Sequence, residues 1–130
     1  MDHEGGKQVK AFVFSLVLLA LMLAGIAGNY IYINNVANTM NTMLDELPDM
    51  DDEDCLSAAM EIFSYWESHV DTVGLSVEFI TVDRVSEQIT TLLACAECGD
   101  LYGFRTSIAL LRDAIGDMHR LETFSIENLL

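Results

Sequence analysis

The chain has 130 residues, enough for one soluble domain of modest size. Its formal charge of −15 works against nucleic acid and anionic lipid as partners of its polar part. A single proline and three cysteines argue against an all-β domain and against a paired disulfide framework.

Residues 1–10 form a polar leader containing Lys7 and Lys10. Residues 11–33, AFVFSLVLLALMLAGIAGNYIYI, carry no charge over 23 positions. At 1.5 Å per residue such a helix is about 34 Å long, sufficient for a hydrocarbon core of about 30 Å. Tyr30 and Tyr32 stand at its far end, where interfacial aromatics are expected. Lysines precede the run and no basic residue follows it until Arg84, so the positive-inside rule predicts a cytoplasmic leader and an extracytoplasmic 34–130. The competing reading is a signal peptide cut after Ala27, with Gly25 and Ala27 as the small residues at the site. The apolar run continues past that point to Ile33, which favours a retained anchor. Ala20, Ala24 and Gly28 recur every four residues, a spacing that can pack two membrane helices together.

Residues 34–130 hold 19 acidic residues, four arginines and no lysine, so this segment alone carries a charge of −15. A surface of that kind is expected to stand off from a bilayer and to attract basic partners or divalent cations. Val36, Met40, Met43, Leu44 and Leu47 extend the first helix beyond the membrane, and Pro48 ends it. The acids of 49–54, DMDDED, lack the calcium-loop spacing: position six is Asp54 rather than glycine, and position twelve is Met60 rather than glutamate. They are expected to favour the N-terminus of the helix that follows.

The second helix is predicted over 54–71, burying Leu56, Ala59, Ile62, Phe63, Trp66 and Val70. Residues 75–80, LSVEFI, read as an extended connector or an early start to the next helix. That third helix is predicted over 81–98, capped by Thr81, with Val85, Ile89, Leu92, Leu93 and Ala96 inward and Gly99 as its stop. Asp100 then caps a fourth helix that uses Leu101, Phe104, Ile108, Leu111, Ile115 and Met118 and ends near Leu121, with one last turn from Ser125. The expected fold is all-α: an N-terminal transmembrane helix continuing into a small extracytoplasmic antiparallel bundle with three further helices.

Certain features of this outline recur together. They are the short leader and single span, Ile62-Phe63 to Trp66-Glu67 in the second helix, Val82-Asp83-x-Val85 at the third, and the ending Phe124-Ser125-Ile126-Glu127-Asn128-Leu129-Leu130. In these the chain resembles the domain-of-unknown-function family 4363, small single-span membrane-anchored helical proteins of Gram-positive bacteria. Members of that family look lysine-rich in these helices, whereas this chain has no lysine after Lys10. They also tend to carry a histidine beside an acid where Phe79 and Ile80 stand here. The resemblance implies an anchored helical bundle and no known activity.

Cys95-Ala-Glu-Cys98 is the one motif with chemical meaning. Two thiols three apart on a helix share a face and could meet one metal or each other, with Cys55 as a third ligand and His69 or His119 as a fourth. The motif falls at a helix C-terminus, the wrong end for lowering a thiol pKa. Both histidines are expected near helix C-termini in capping or surface roles, and Asp113 and Asp117 form an incidental pair on helix four. No nucleophile elbow, phosphate loop or HExxH is present, and no cofactor is expected. The sequence therefore points to a non-enzymatic interaction or structural module of the cell envelope with an unknown protein partner. A thiol-redox or metal protein using Cys95 and Cys98 is the alternative, as is a secreted acidic helical protein after cleavage near Ala27.

Overall fold

The computed structural model describes the backbone of residues 2–129 and the side chains of residues 5–120. The described residues form four helices and no strand: α1 Asp2–Asp45, α2 Cys55–Val73, α3 Phe79–Cys98 and α4 Leu101–Leu129. Each helix packs on its two neighbours in ring order, α1 on α2 and α4, and α3 on α2 and α4, with no diagonal contact among the described residues. This is an up-down-up-down four-helix bundle whose first wall is the outer part of α1.

α1 changes character along its length. Side chains 5–25 are all exposed, whereas Ile33, Val36, Ala37, Met40 and Leu44 are buried. The apolar face therefore passes from a surrounding without protein into the bundle core within one unbroken helix. Pro48 follows two residues after the helix's last hydrogen-bonded turn, as its steric demand on Leu47 requires.

The core of the bundle is filled by Trp66, Ile62, Val85, Ile89, Leu92, Leu111, Ile115 and Met118, each at most 1% exposed. The indole N–H of Trp66 donates to the Ser86 hydroxyl at 2.8 Å, so the largest core side chain keeps its polar atom satisfied. Small residues complete the interior: Cys55, Ala59, Thr81, Cys95, Ser107 and Ala114 are all buried. Leu56 and Leu101, expected inside, are 36% and 48% exposed. Both sit in the first turn of their helices at the distal end, where the bundle tapers and Cys55 and Phe104 take the inward positions.

Several boundaries differ from the sequence expectation. α3 starts at Phe79, and Thr81 is a buried residue inside it rather than its cap. Val77, 6% exposed, draws the connector into the core and starts the helix earlier. α4 continues unbroken to Leu129 instead of ending near Leu121 with a separate last turn. The side chain of Ser125 and those of the closing Phe124 to Leu130 lie outside the described residues.

The α3–α4 joint is the tightest connection. Gly99 adopts φ +76°, a left-handed conformation that suits glycine, and its N–H donates to the Cys95 carbonyl. The Asp100 carboxylate then accepts the Gly103 N–H at 3.0 Å and caps α4. Across the loop 49–54, Asp52 accepts the Asp54 N–H at 2.8 Å, while Asp54 itself makes no side-chain cap. The acids of that loop therefore act through a local turn at Asp52 rather than through a cap at Asp54.

Candidate functional site

Heights along the bundle locate its two ends. The Tyr32 ring lies 6.1 Å from His69, and the Tyr30 ring 6.1 Å from His119. Trp66 meets Ser86, and Arg84 meets Asp117 at 2.8 Å and Asp113 at 3.3 Å. Counting along each helix from these contacts puts Val73, Phe79, Arg120 and Gly28–Asn29 at one level. That level is the proximal end of α2 and α3, beside the exposed apolar half of α1; the backbone of α4 runs nine residues further, to Leu129. The distal end is made by the loop 46–54 and the α3–α4 joint.

Tyr30 and Tyr32 are half-buried, each placed between the span and a histidine of the bundle. His69 Nδ1 lies 2.8 Å from the Tyr65 carbonyl and 2.9 Å from the Ser68 hydroxyl, so it serves the last turn of α2. His119 sits inside α4, not near its C-terminus, because that helix continues.

The three cysteines are free thiols. Cys55 and Cys95 are buried, and Cys98 is exposed with its sulfur 3.8 Å from the Cys95 carbonyl. Burial, with Asp52 and Asp49 close by, pushes the Cys55 thiol above its ordinary value. Burial also pushes Cys95 up, aided by Asp100 and Cys98 and opposed by a hydrogen bond from Ser107. A raised thiol pKa suppresses the thiolate, the form that attacks disulfides and binds metal. The histidines cannot complete a metal set with these sulfurs. His69 is 14 residues from Cys55 along α2, about 21 Å at 1.5 Å per residue, at the opposite end of the bundle. Among the described residues, no group of three His, Cys, Asp or Glu side chains is arranged to hold a metal ion. Asp113 and Asp117 are engaged by Arg84, whose hydrogen bond to Asp117 pushes its own pKa up.

The distal end carries a cavity of about 340 Å³. Leu44, Leu47, Phe104 and Ile108 supply its apolar wall, and the exposed Asp49, Asp51 and Arg105 stand at its edge. Beside it Arg112 pairs with Asp45 at 2.6 Å, tying the end of α1 to α4. This hollow exists because Pro48 turns the chain away from α1 and leaves Leu44 and Leu47 facing the first turns of α4. Its lining comes from two stretches at least 50 positions apart, 44–51 and 101–108, which no local pattern joins.

Ala20, Ala24 and Gly28 on α1 are exposed, and a Cβ added at Gly28 would meet no other atom within 4 Å. Helix α1 from Gly5 to Asp45 is long and apolar enough to cross a membrane, and its most apolar window is wholly unburied. No protein-family model matches the chain, and no curated protein or solved structure matches it.

Proposed function

We propose that this protein is a membrane-anchored, extracytoplasmic helical module that works by protein contact and not by catalysis. The observation that carries this reading is the division within α1. Side chains 5–25 face no protein, while Ile33 to Leu44 form a wall of the bundle. An exposed apolar helix face of that length in water would be strongly unfavourable, and a bilayer removes the penalty. Lys7 and Lys10 before the apolar run, with no lysine or arginine after it until Arg84, favour a leader inside and a bundle outside. The resemblance to the domain-of-unknown-function family 4363 belongs to the same proposal. The distal cavity, walled by Leu44, Leu47, Phe104 and Ile108 and edged by Asp49, Asp51 and Arg105, offers a seat for a partner's side chain.

The test is alkaline extraction of membranes followed by protease treatment of sealed cells lacking a wall. The expected result is retention in the extracted membrane and digestion of residues 34–130 from outside. Release into the alkaline supernatant overturns the anchor, and protection of the bundle overturns the orientation. Replacing Cys55, Cys95 and Cys98 with serine should leave partner capture intact in every variant that folds. Its loss in a folded variant would support the thiol reading instead.

One observation favours the secreted form as a second reading. The bundle wall begins at Ile33, so cleavage after Ala27 would leave every core residue of α1 in place. Against it, α1 is unbroken through Ala27. Intact mass of the mature protein separates the two.

A further inference from the structure

The connector between α2 and α3 leaves large apolar side chains in the open. Leu75, Phe79 and Ile80 are 86%, 80% and 71% exposed, while Val77 between them is buried and holds the segment against the core. Three such side chains on adjoining turns cost free energy in water with no packing return. Their position gives them a use. The contacts of Tyr32 with His69 and of Trp66 with Ser86 set Val73 and Phe79 at the height of Gly28–Asn29 on α1. The connector therefore turns beside residues 26–28, within the apolar run.

A hydrocarbon core of about 30 Å is filled by roughly 20 helical residues, which from Ala11 reaches Tyr30. The connector then lies about 3–6 Å inside that boundary, the depth at which interfacial segments bury apolar side chains. We propose, on the anchored reading above, that Leu75, Phe79 and Ile80 insert into the outer leaflet as a second membrane contact. The connector then touches the bilayer in addition to the span. The acidic surface as a whole repels anionic headgroups, but the connector itself, residues 74–80, presents these three apolar side chains around a single carboxylate, Glu78.

The experiment uses the full chain in phosphatidylcholine vesicles doped with a phosphatidylcholine whose acyl chain carries a diazirine near its ester. Light releases a carbene that inserts into whatever touches it, and peptide mass spectrometry maps the sites. Labelling is expected at residues 12–28 and at Leu75, Phe79 and Ile80, the latter roughly tenfold above Tyr102, as the contrast between lipid and water contact requires. Tyr102 is 83% exposed but stands at the distal end, so it reports label arriving from solution. Replacing Leu75, Phe79 and Ile80 with serine touches no core side chain, and should remove label from 75–80 while leaving that on 12–28. Label on 12–28 without label on 75–80 overturns this inference and leaves the anchor standing. Absence of label from 12–28 overturns the anchor itself. Concentration-dependent crosslinks between two copies at Phe79, with no lipid label there, assign the patch to self-association and also overturn it.

Discussion

Replacing glycine by alanine inside a helix ordinarily stabilises it by about 1 kcal/mol. In α4 the same substitution should have opposite signs at two positions. A Cβ on Gly103 would fall 2.7 Å from the Cys95 sulfur and 2.5 Å from an Asp100 carboxylate oxygen, both closer than real Cβ contacts. Asp100 can swing aside, but it then gives up the Gly103 N–H, at a cost of about 1 kcal/mol for a lost cap. Cys95 is 8% exposed in the α3–α4 interface and has little room to move, and overpacking there costs about 1–3 kcal/mol. Set against the propensity gain, Gly103→Ala should destabilise by about 2 kcal/mol. Gly116, on the same helix, would place its Cβ within 4 Å of nothing, so Gly116→Ala should stabilise by about 1 kcal/mol. Urea unfolding of the full chain in a mild detergent, followed by Trp66 fluorescence, reads both. Adding Cys95→Ala to Gly103→Ala should recover part of the loss through coupling between touching residues. If Gly103→Ala stabilises as Gly116→Ala does, the close approach of α3 and α4 at Cys95 is wrong.

Ile33→Ala should destabilise the bundle by about 2–5 kcal/mol although Ile33 closes the apolar run, whereas Ile31→Ala, at a position 57% exposed, should leave its unfolding unchanged. A cycle of Trp66→Phe and Ser86→Ala should show a coupling of about 1 kcal/mol for the indole hydrogen bond, read by circular dichroism since the fluorophore is lost. Ellman's reagent at neutral pH should find one fast thiol, Cys98, and reach Cys55 and Cys95 only on unfolding. Because burial raises both of those thiols above their ordinary 9.0, the native state favours their protonated forms. Bundle stability should therefore be unaffected by them below that pH, and should fall as pH rises from 9.0 through the higher native values.

The helices were legible because large apolar residues recur at three and four, and Trp66, Ile89, Leu111 and Met118 all lie where that pattern puts them. The pattern weights large side chains, so Ser107 and Ala114 fall outside it although both are buried, whereas Cys55 and Cys95 are inside as small residues of that kind are expected to be. It also put Leu56 and Leu101 inward, since periodicity carries no information about where a bundle tapers. Gly99 and Asp100 were read correctly because their roles are local, a left-handed stop and a cap within three residues. Thr81 was misread as a cap because the start of α3 is set by Val77, whose burial depends on tertiary packing. The same limit hid both ends of the molecule. The distal cavity needs α1 beside α4, and the height of Leu75, Phe79 and Ile80 needs Tyr32 opposite His69.

A head that shares its first helix with its anchor cannot swivel as one on a flexible linker would. From Tyr30 to Asp45, α1 rises 15 residues without a break, about 23 Å at 1.5 Å each. The pair of Arg112 with Asp45 and the contacts of both histidines tie α4 and α2 to that rise at its top and bottom. On the anchored reading, the cavity at Leu44, Leu47 and Phe104 is then held at a fixed height, roughly 20 Å above the outer leaflet. Such a geometry suits a partner that presents its own apolar side chain at that height from the same membrane. Inserting a helical turn after Asn34 would lift the cavity by about 5 Å with Val36, Met40 and Leu44 still packed, but would pull Ile33, Tyr30 and Tyr32 out of register with the core and the two histidines. Height and fold cannot be changed separately here, which is the physical consequence of building tether and wall from one helix.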